Sequence, residues 1–232
     1  MTFKDSSYLI VSKYLEKYPE IFSDLEKSFI LDFARNELED HNGLLPDLVR
    51  EVYDELGVLP DNKNLYKGFI EMAEQVFNLK NRNILEIGGG VLPRLGIRIS
   101  ASQDFGNITV YDPRLSKYVE DSEKLKLVRK KFNREMNVGD IDLMLGLMPC
   151  KAAEVIVDVA TKNKIDFMIA LCEGGLHGEE FDYYEDDEEW RDSLIYSARR
   201  AVDGTEMGKL MVKYMTRYDN PYPVIYNDRS IC

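Results

Sequence analysis

Residues Asn83–Asp112 read NILEIGGGVLPRLGIRISASQDFGNITVYD, and this stretch decides the predicted fold. A short apolar run ends at Ile87, three glycines follow, and Pro93 stands where the first turn of a helix is expected. A second apolar run ends at Asp112. A strand, a glycine turn, a helix and another strand in this order are typical of the βαβ unit of a parallel sheet.

The three glycines, Gly88, Gly89 and Gly90, lie at the predicted turn from strand to helix. Glycine lets the backbone approach a ligand closely and leaves the amides at the start of the helix accessible. Asp112 ends the second strand roughly 20 residues further on, where a carboxylate can bind the hydroxyls of a ribose. We therefore predict a nucleoside-binding site at the carboxyl ends of the first two strands.

The details of the glycine turn favour one kind of nucleoside over another. A dinucleotide fingerprint, G-x-G-x-x-G, would need a third glycine at position 93 after Gly88 and Gly90, and Pro93 stands there instead. This substitution argues against a nicotinamide-dependent oxidoreductase.

The same segment resembles the first motif of the class I S-adenosylmethionine-dependent methyltransferases, which is an acidic residue followed by x-Gly-x-Gly-x-Gly. Glu86, Gly88 and Gly90 match this motif, and Leu92 occupies the position of its third glycine. The resemblance covers the chain from about Asn64 to the C-terminus. It implies S-adenosylmethionine as the cofactor and a methyl transfer as the reaction.

The resemblance also implies roles for individual residues. Glu86 and the glycines would line the methionine side of the cofactor, and Asp112 would bind the ribose hydroxyls. Gly146 and Leu147 lie at the end of the fourth predicted strand, where the family has its substrate-facing fourth motif. The predicted cofactor-binding residues are Glu86, Gly88, Gly89, Gly90, Asp112, Gly146 and Leu147.

A candidate general base, His177, lies in a glycine-rich loop after the fifth predicted strand. The alternative is a surface histidine without a function. The acidic segment Gly174–Glu189 is expected to be either a solvated loop or a mobile lid over the cleft. Cys150 and Cys172 have no further ligands at a suitable spacing, so no metal site is predicted.

Apolar runs alternate with helical segments from Asn83 onward. They predict an α/β, Rossmann-like, doubly wound and mostly parallel seven-stranded sheet with a C-terminal antiparallel hairpin. Residues 1–63 are predicted to be a helical region that caps the cleft and selects the substrate, and residues 64–232 the S-adenosylmethionine-binding domain. The predicted strands are Ile84–Ile87, Ile108–Tyr111, Leu125–Val128, Ile141–Leu147, Phe167–Cys172, Lys209–Met215 and Tyr222–Tyr226.

The composition limits the partners. The chain has 30 Lys and Arg against 42 Asp and Glu, a net charge of −12, which argues against nucleic acid as a partner. Its apolar runs are shorter than the roughly 20 residues of a membrane helix. Three cysteines imply no disulfide framework, and the N-terminus lacks the layout of a signal peptide. We therefore expect a soluble, cytoplasmic protein without a membrane partner; the sequence predicts no oligomeric state.

Two functions fit these observations. The first is an S-adenosylmethionine-dependent methyltransferase that acts on a small molecule or a protein. The alternative is a catalytically silent S-adenosylmethionine-binding protein that serves as a regulatory or assembly subunit.

Overall fold

The computed structural model describes residues 65–90, 93–115, 119–171, 187–217 and 220–231, and five helical positions nearer the N-terminus, which are 12, 13, 16, 28 and 31. The helices of the continuous segments are α1 (Leu65–Phe77), α2 (Arg94–Ala101), α3 (Ala152–Asn163) and α4 (Asp187–Val202). The strands are β1 (Ile84–Ile87), β2 (Ile108–Tyr111), β3 (Leu125–Val128), β4 (Leu143–Leu147), β5 (Asp166–Ala170), β6 (Lys209–Arg217) and β7 (Asn220–Asp228).

The seven strands form one sheet in the order β3-β2-β1-β4-β5-β7-β6. Strands β1 to β5 are parallel, and β1 has β2 on one side and β4 on the other, with Ile84 opposite both Ile108 and Leu143. Strand β7 runs antiparallel to β5 and to β6. This topology confirms the predicted Rossmann-like sheet with its C-terminal antiparallel hairpin.

Helices cover both faces of the sheet. Because β1 is buried on both sides, its side chains divide between two apolar clusters. One cluster joins the sheet to α1 and α2 and includes Phe69 and Leu95. The other joins it to α3 and α4 and includes Ile156 and Trp190. A sheet with helices on both faces leaves its strand ends as the place where a ligand can reach the backbone.

The connection from β3 to β4, residues 129–142, contains no helix. The side chains of β2 and β3 are therefore buried on one face and more accessible on the other. Tyr111 is partly buried and Lys126 is exposed on the open face, whereas Val110 and Leu127 are buried on the opposite face. Because no helix covers this face of β2 and β3, a cleft can form beside the carboxyl ends of these strands.

The hairpin strands are longer than predicted. β6 continues to Arg217, and β7 begins at Asn220 instead of Tyr222. Two prolines, Pro221 and Pro223, lie inside β7 although proline usually ends a strand. Pairing with β6 nevertheless continues through both prolines, and the carbonyl of Pro223 accepts a hydrogen bond from Leu171 N.

Other boundaries also shift by a few residues. β4 begins at Leu143 because Ile141 N donates to Val138 O in a turn, and Asp142 accepts from Asn83 N through its side chain. Strand β5 spans Asp166–Ala170 instead of the predicted Phe167–Cys172.

A polar cluster holds the amino-terminal end of β5. The Asp166 carboxylate accepts hydrogen bonds from Arg82 Nη1 at 2.8 Å, Arg229 Nε at 2.6 Å and Asn227 Nδ2 at 2.9 Å. Burial raises the pKa of Asp166, but these hydrogen bonds outweigh it and hold the pKa below the ordinary value of 3.8. The cluster connects the start of β1, the start of β5 and the end of β7.

The N-terminal region is described at only five positions, all of them helical. One of these, Leu31, is partly buried and packs against the apolar cluster of α1 and α2. The division into residues 1–63 and 64–232 stays a prediction.

Candidate cofactor-binding site

The glycine turn after β1 has the conformation that its sequence requires. Gly88 has a φ of +82° and Gly90 a φ of +71°, which side chains rarely allow. A Cβ at Gly88 would lie 3.0 Å from the Cα of Pro149. Gly88 N donates to Tyr111 O at 3.0 Å, which fastens the turn to the end of β2.

Glu86 lies beneath this turn. Its side chain is 3% exposed, and its Oε1 and Oε2 atoms would lie 3.3 Å and 2.9 Å from a Cβ at Gly89 and at Gly96, respectively. Those same Cβ atoms would collide with Val110, at 2.5 Å and 2.6 Å. Gly89 and Gly96 therefore allow α2 to pack closely on β1 and β2. Gly96 was not among the predicted site residues, although a glycine inside a helical sequence pattern is a signal of such packing.

Asp112, at the end of β2, is bonded to the glycine turn. Its Oδ2 accepts from Gly90 N at 2.9 Å and from Arg114 Nη2 at 3.1 Å. Its Oδ1 accepts from Arg114 N at 2.7 Å and Arg114 Nε at 3.2 Å. The structure thus brings two predicted site residues into direct contact and adds Arg114, which was not a predicted site residue.

A cleft of about 790 Å³ opens beside these residues at the carboxyl ends of the parallel strands. Gly88 and Asp112 line it, and so do residues from the segments that follow β3 and β4. Tyr111 and Phe132 make an edge-to-face contact in its wall, with their ring centroids 5.5 Å apart. The apolar residues that line the cleft are Ile87, Tyr111, Pro113, Phe132, Met148, Pro149, Ala152 and Val155.

The remaining predicted cofactor residues occupy supporting positions. Gly146 is buried, and a Cβ there would lie 2.8 Å from both Ile156 and Pro149. Leu147 is partly buried and packs against the cluster of α1 and α2. Neither residue lines the cleft, whose wall on this side begins with Met148.

The segment after β4 has an unusual backbone. Met148 has a φ of +54° and Cys150 a φ of +48°, and both line the cleft on either side of Pro149. Residues other than glycine adopt such angles at an energetic cost, and these conformations often occur at functional sites. The turn places Pro149 against Gly88 and leaves Cys150 exposed. Cys150 is therefore accessible from the cleft.

Positive and negative charges are more nearly equal in number in the cleft than in the whole chain. Arg134 forms an ion pair with Asp158, with 2.6 Å between Nε and Oδ2. The lining has one more basic than acidic residue, in a chain whose net charge is −12. The charged residues that line the cleft are Asp112, Arg114, Lys131, Arg134, Glu135, Lys151 and Glu154.

Parts of the chain to which the sequence analysis gave possible roles lie outside the described residues. His177, the candidate base, and Cys172 both belong to the stretch 172–186, which the structure does not describe. The proposed lid, Gly174–Glu189, is described only where α4 begins. Within the described segments, no group of three or more His, Cys, Asp or Glu side chains is arranged to hold a metal ion, and no helix is long and apolar enough to cross a membrane.

No family model matches this chain, and no curated protein matches it in sequence. Solved structures do have a similar fold. The METTL16 methyltransferase domain is 13% identical with a TM-score of 0.49, and the match covers 74% of this chain and 83% of that one. Precorrin-6y C5,15-methyltransferase from Geobacter metallireducens GS-15 is 14% identical with a TM-score of 0.42, over 69% and 87% of the two chains.

A variant of MtNAS in complex with S-adenosylmethionine is also similar, at 11% identity and a TM-score of 0.46, over 94% of this chain and 77% of that one. At these identities and TM-scores the likeness concerns the path of the chain and carries no conclusion about the reaction or the acceptor.

Proposed function

We propose that this protein binds S-adenosylmethionine in the cleft beside β1 and β2 and transfers its methyl group to an acceptor. The observation that carries the proposal is the contact between the turn Gly88–Gly90 and Asp112, at the mouth of a cleft of about 790 Å³. Such a volume lies within the roughly 300–1,000 Å³ typical of small-molecule sites. A carboxylate at the end of the second strand suits a ribose diol.

The lining of the cleft suits the other parts of the cofactor. Tyr111, Phe132 and Pro149 offer an apolar wall for a flat adenine ring. Gly88, at the start of the turn, lines the cleft and carries no side chain of its own, which favours a close approach of the cofactor to the backbone. Glu86, Gly146 and Leu147 would act by holding the glycine turn and the segment after β4 in place.

Methyl transfer requires mainly the alignment of the acceptor with the sulfonium methyl group, which the bound cofactor supplies. Binding and exclusion of water therefore do most of the catalytic work, and a base is required only where the acceptor must lose a proton. His177 is our candidate for that base.

We propose a small molecule or a protein as the acceptor. The net charge of −12 would repel a nucleic-acid backbone at long range, whereas the nearly balanced charge of the cleft suits a smaller partner. Three cysteines in the chain fit the reducing environment of the cytoplasm, which is the location we propose.

Calorimetric titration tests the binding part of this proposal. S-adenosylmethionine and S-adenosylhomocysteine should both bind, and NAD should not. Binding of NAD alone would instead favour an oxidoreductase.

Turnover with a methyl-labelled donor tests the reaction. Label should move from S-adenosylmethionine to a component of a mixture of metabolites and proteins. Binding without any transfer of label would favour the alternative, a silent regulatory or assembly protein.

A further inference from the structure

The Asp112 carboxylate has its acceptor positions already occupied. Two carboxylate oxygens offer about four lone-pair positions. Gly90 N, Arg114 N, Arg114 Nε and Arg114 Nη2 donate to them at 2.7–3.2 Å. A ribose diol would bring further donors to the same two oxygens, so at least one present donor must leave when a ribose binds.

The Arg114 guanidinium is the donor that can leave. Gly90 N and Arg114 N belong to the backbone of two turns, and their positions depend on the ends of β1 and β2. The Arg114 side chain is 63% exposed, whereas the Asp112 side chain that it covers is 4% exposed. The exposed guanidinium can return to water when it leaves, and the ribose hydroxyls would then supply the hydrogen bonds that the nearly buried carboxylate needs.

We propose that Arg114 competes with the ribose hydroxyls for Asp112, and that its guanidinium leaves the carboxylate when a nucleoside ligand binds. This inference rests on the proposed function, because it assumes that the cleft holds a nucleoside. In the free protein the guanidinium neutralises a nearly buried carboxylate, which would otherwise be costly. Arg114 therefore sets the affinity for the ligand without being required for its recognition.

Replacing Arg114→Met removes the competing donors and keeps an unbranched side chain. Titration of S-adenosylhomocysteine should then give an affinity roughly twofold to fivefold higher than in the wild type, because the ligand no longer has to displace the exposed guanidinium from Asp112. For the 2′-deoxy analogue of this ligand, the same substitution should raise the affinity less, because the analogue offers Asp112 only one hydroxyl. Thermal unfolding of the variant verifies that it is folded.

Arg134→Met provides the matched control. Arg134 lines the same cleft and is 58% exposed, but its ion pair is with Asp158. Replacing Arg134 removes the same charge without changing Asp112. The ratio of the affinities for S-adenosylhomocysteine and its 2′-deoxy analogue should therefore stay that of the wild type. A gain of the same size in both variants would overturn the proposal, because it would be a general charge effect.

Salt gives a second readout. Added salt screens the Arg114–Asp112 pair, so the wild type should approach the affinity of the Arg114→Met protein as ionic strength rises. An affinity that falls in Arg114→Met would overturn the inference and make Arg114 a supporting residue for the ligand. Failure of wild type and variant alike to bind S-adenosylhomocysteine would contradict the proposed function itself.

Discussion

At the scale of single residues, Asp112 connects the glycine turn to the end of β2. It accepts from Gly90 N, it lines the cleft, and it is only 3% exposed. A single carboxylate therefore both shapes the turn and faces the ligand. This double role means that variants at this position need a separate test of folding.

Asp112→Ala should weaken the binding of S-adenosylmethionine roughly tenfold or more, because hydrogen bonds to a charged group contribute on the order of 1.5–3 kcal/mol. Titration of the purified variant measures this change. Asp104→Ala, which alters an exposed carboxylate, is the control and should bind as the wild type does. An unchanged affinity in a folded Asp112→Ala protein would remove Asp112 from the site.

Gly88 and Gly204 form a matched pair of glycines. Both have a positive φ, +82° and +77°, but a Cβ at Gly88 would press on Pro149 whereas one at Gly204 meets nothing within 4 Å. Gly204→Ala should cost about 1–2 kcal/mol of unfolding free energy, which is the backbone cost alone. Gly88→Ala should cost more and should also weaken cofactor binding.

Urea unfolding of the two variants checks this expectation, and titration checks the binding. Equal losses of stability in both variants, with unchanged binding, would show that the contact between the turn and Pro149 has no importance for the site.

At the scale of elements, the amino-terminal edge of the sheet depends on Asp166. This side chain is 10% exposed and accepts hydrogen bonds from Arg82, Arg229 and Asn227. Three segments that are distant in sequence therefore meet at one carboxylate. Arg134 Nε and Asp158 Oδ2 are 2.6 Å apart, the same distance as between Arg229 Nε and Asp166 Oδ1, but the Asp158 side chain is 52% exposed.

Asp166→Asn should lower the free energy of unfolding by about 1–3 kcal/mol at neutral pH, because it removes the charge from three hydrogen bonds. Asp158→Asn is the matched control and should cost less, since exposed pairs contribute little. Urea unfolding of both variants measures the difference. Equal effects would show that burial does not strengthen the Asp166 cluster.

The same cluster should make stability depend on pH. The folded-state pKa of Asp166 lies below 3.8, so the unfolded chain binds the proton more readily. The carboxylate therefore stabilises the fold above its unfolded-state pKa, and this contribution is lost as pH falls through the folded-state pKa. The advantage of the wild type over Asp166→Asn should shrink as unfolding is measured from neutral pH towards pH values below 3.8. A constant difference would contradict the assignment.

At the scale of the whole molecule, the N-terminal region meets the sheet domain at Leu31. This leucine is partly buried against the cluster of α1 and α2, whereas Ser28, one helical turn earlier, is exposed. Leu31→Ala should lower the free energy of unfolding by about 1–2 kcal/mol, less than the loss for a fully buried leucine. Ser28→Ala should change it little. If both variants unfold alike, the two regions are not coupled at this point.

The order of the elements and the glycine turn followed from local patterns. The apolar runs of β1, β2 and β3 were predicted at the residues where they occur, because a strand buried on one or both faces needs apolar side chains within a few consecutive residues. The hairpin was predicted too short because Pro221 reads locally as a terminator, and only pairing with β6 extends β7 through it.

The sequence by itself therefore determined the sheet, its antiparallel hairpin, and the placement of the glycine turn and Asp112 at the carboxyl ends of the first two strands, which lie side by side in the sheet. Only the tertiary structure decided which side chains share the cleft. Phe132 reaches Tyr111 through a connection that lacks a helix, and Arg114 folds back onto Asp112. These contacts depend on distances across the fold and on side-chain conformations, which have no periodic signal in a single sequence.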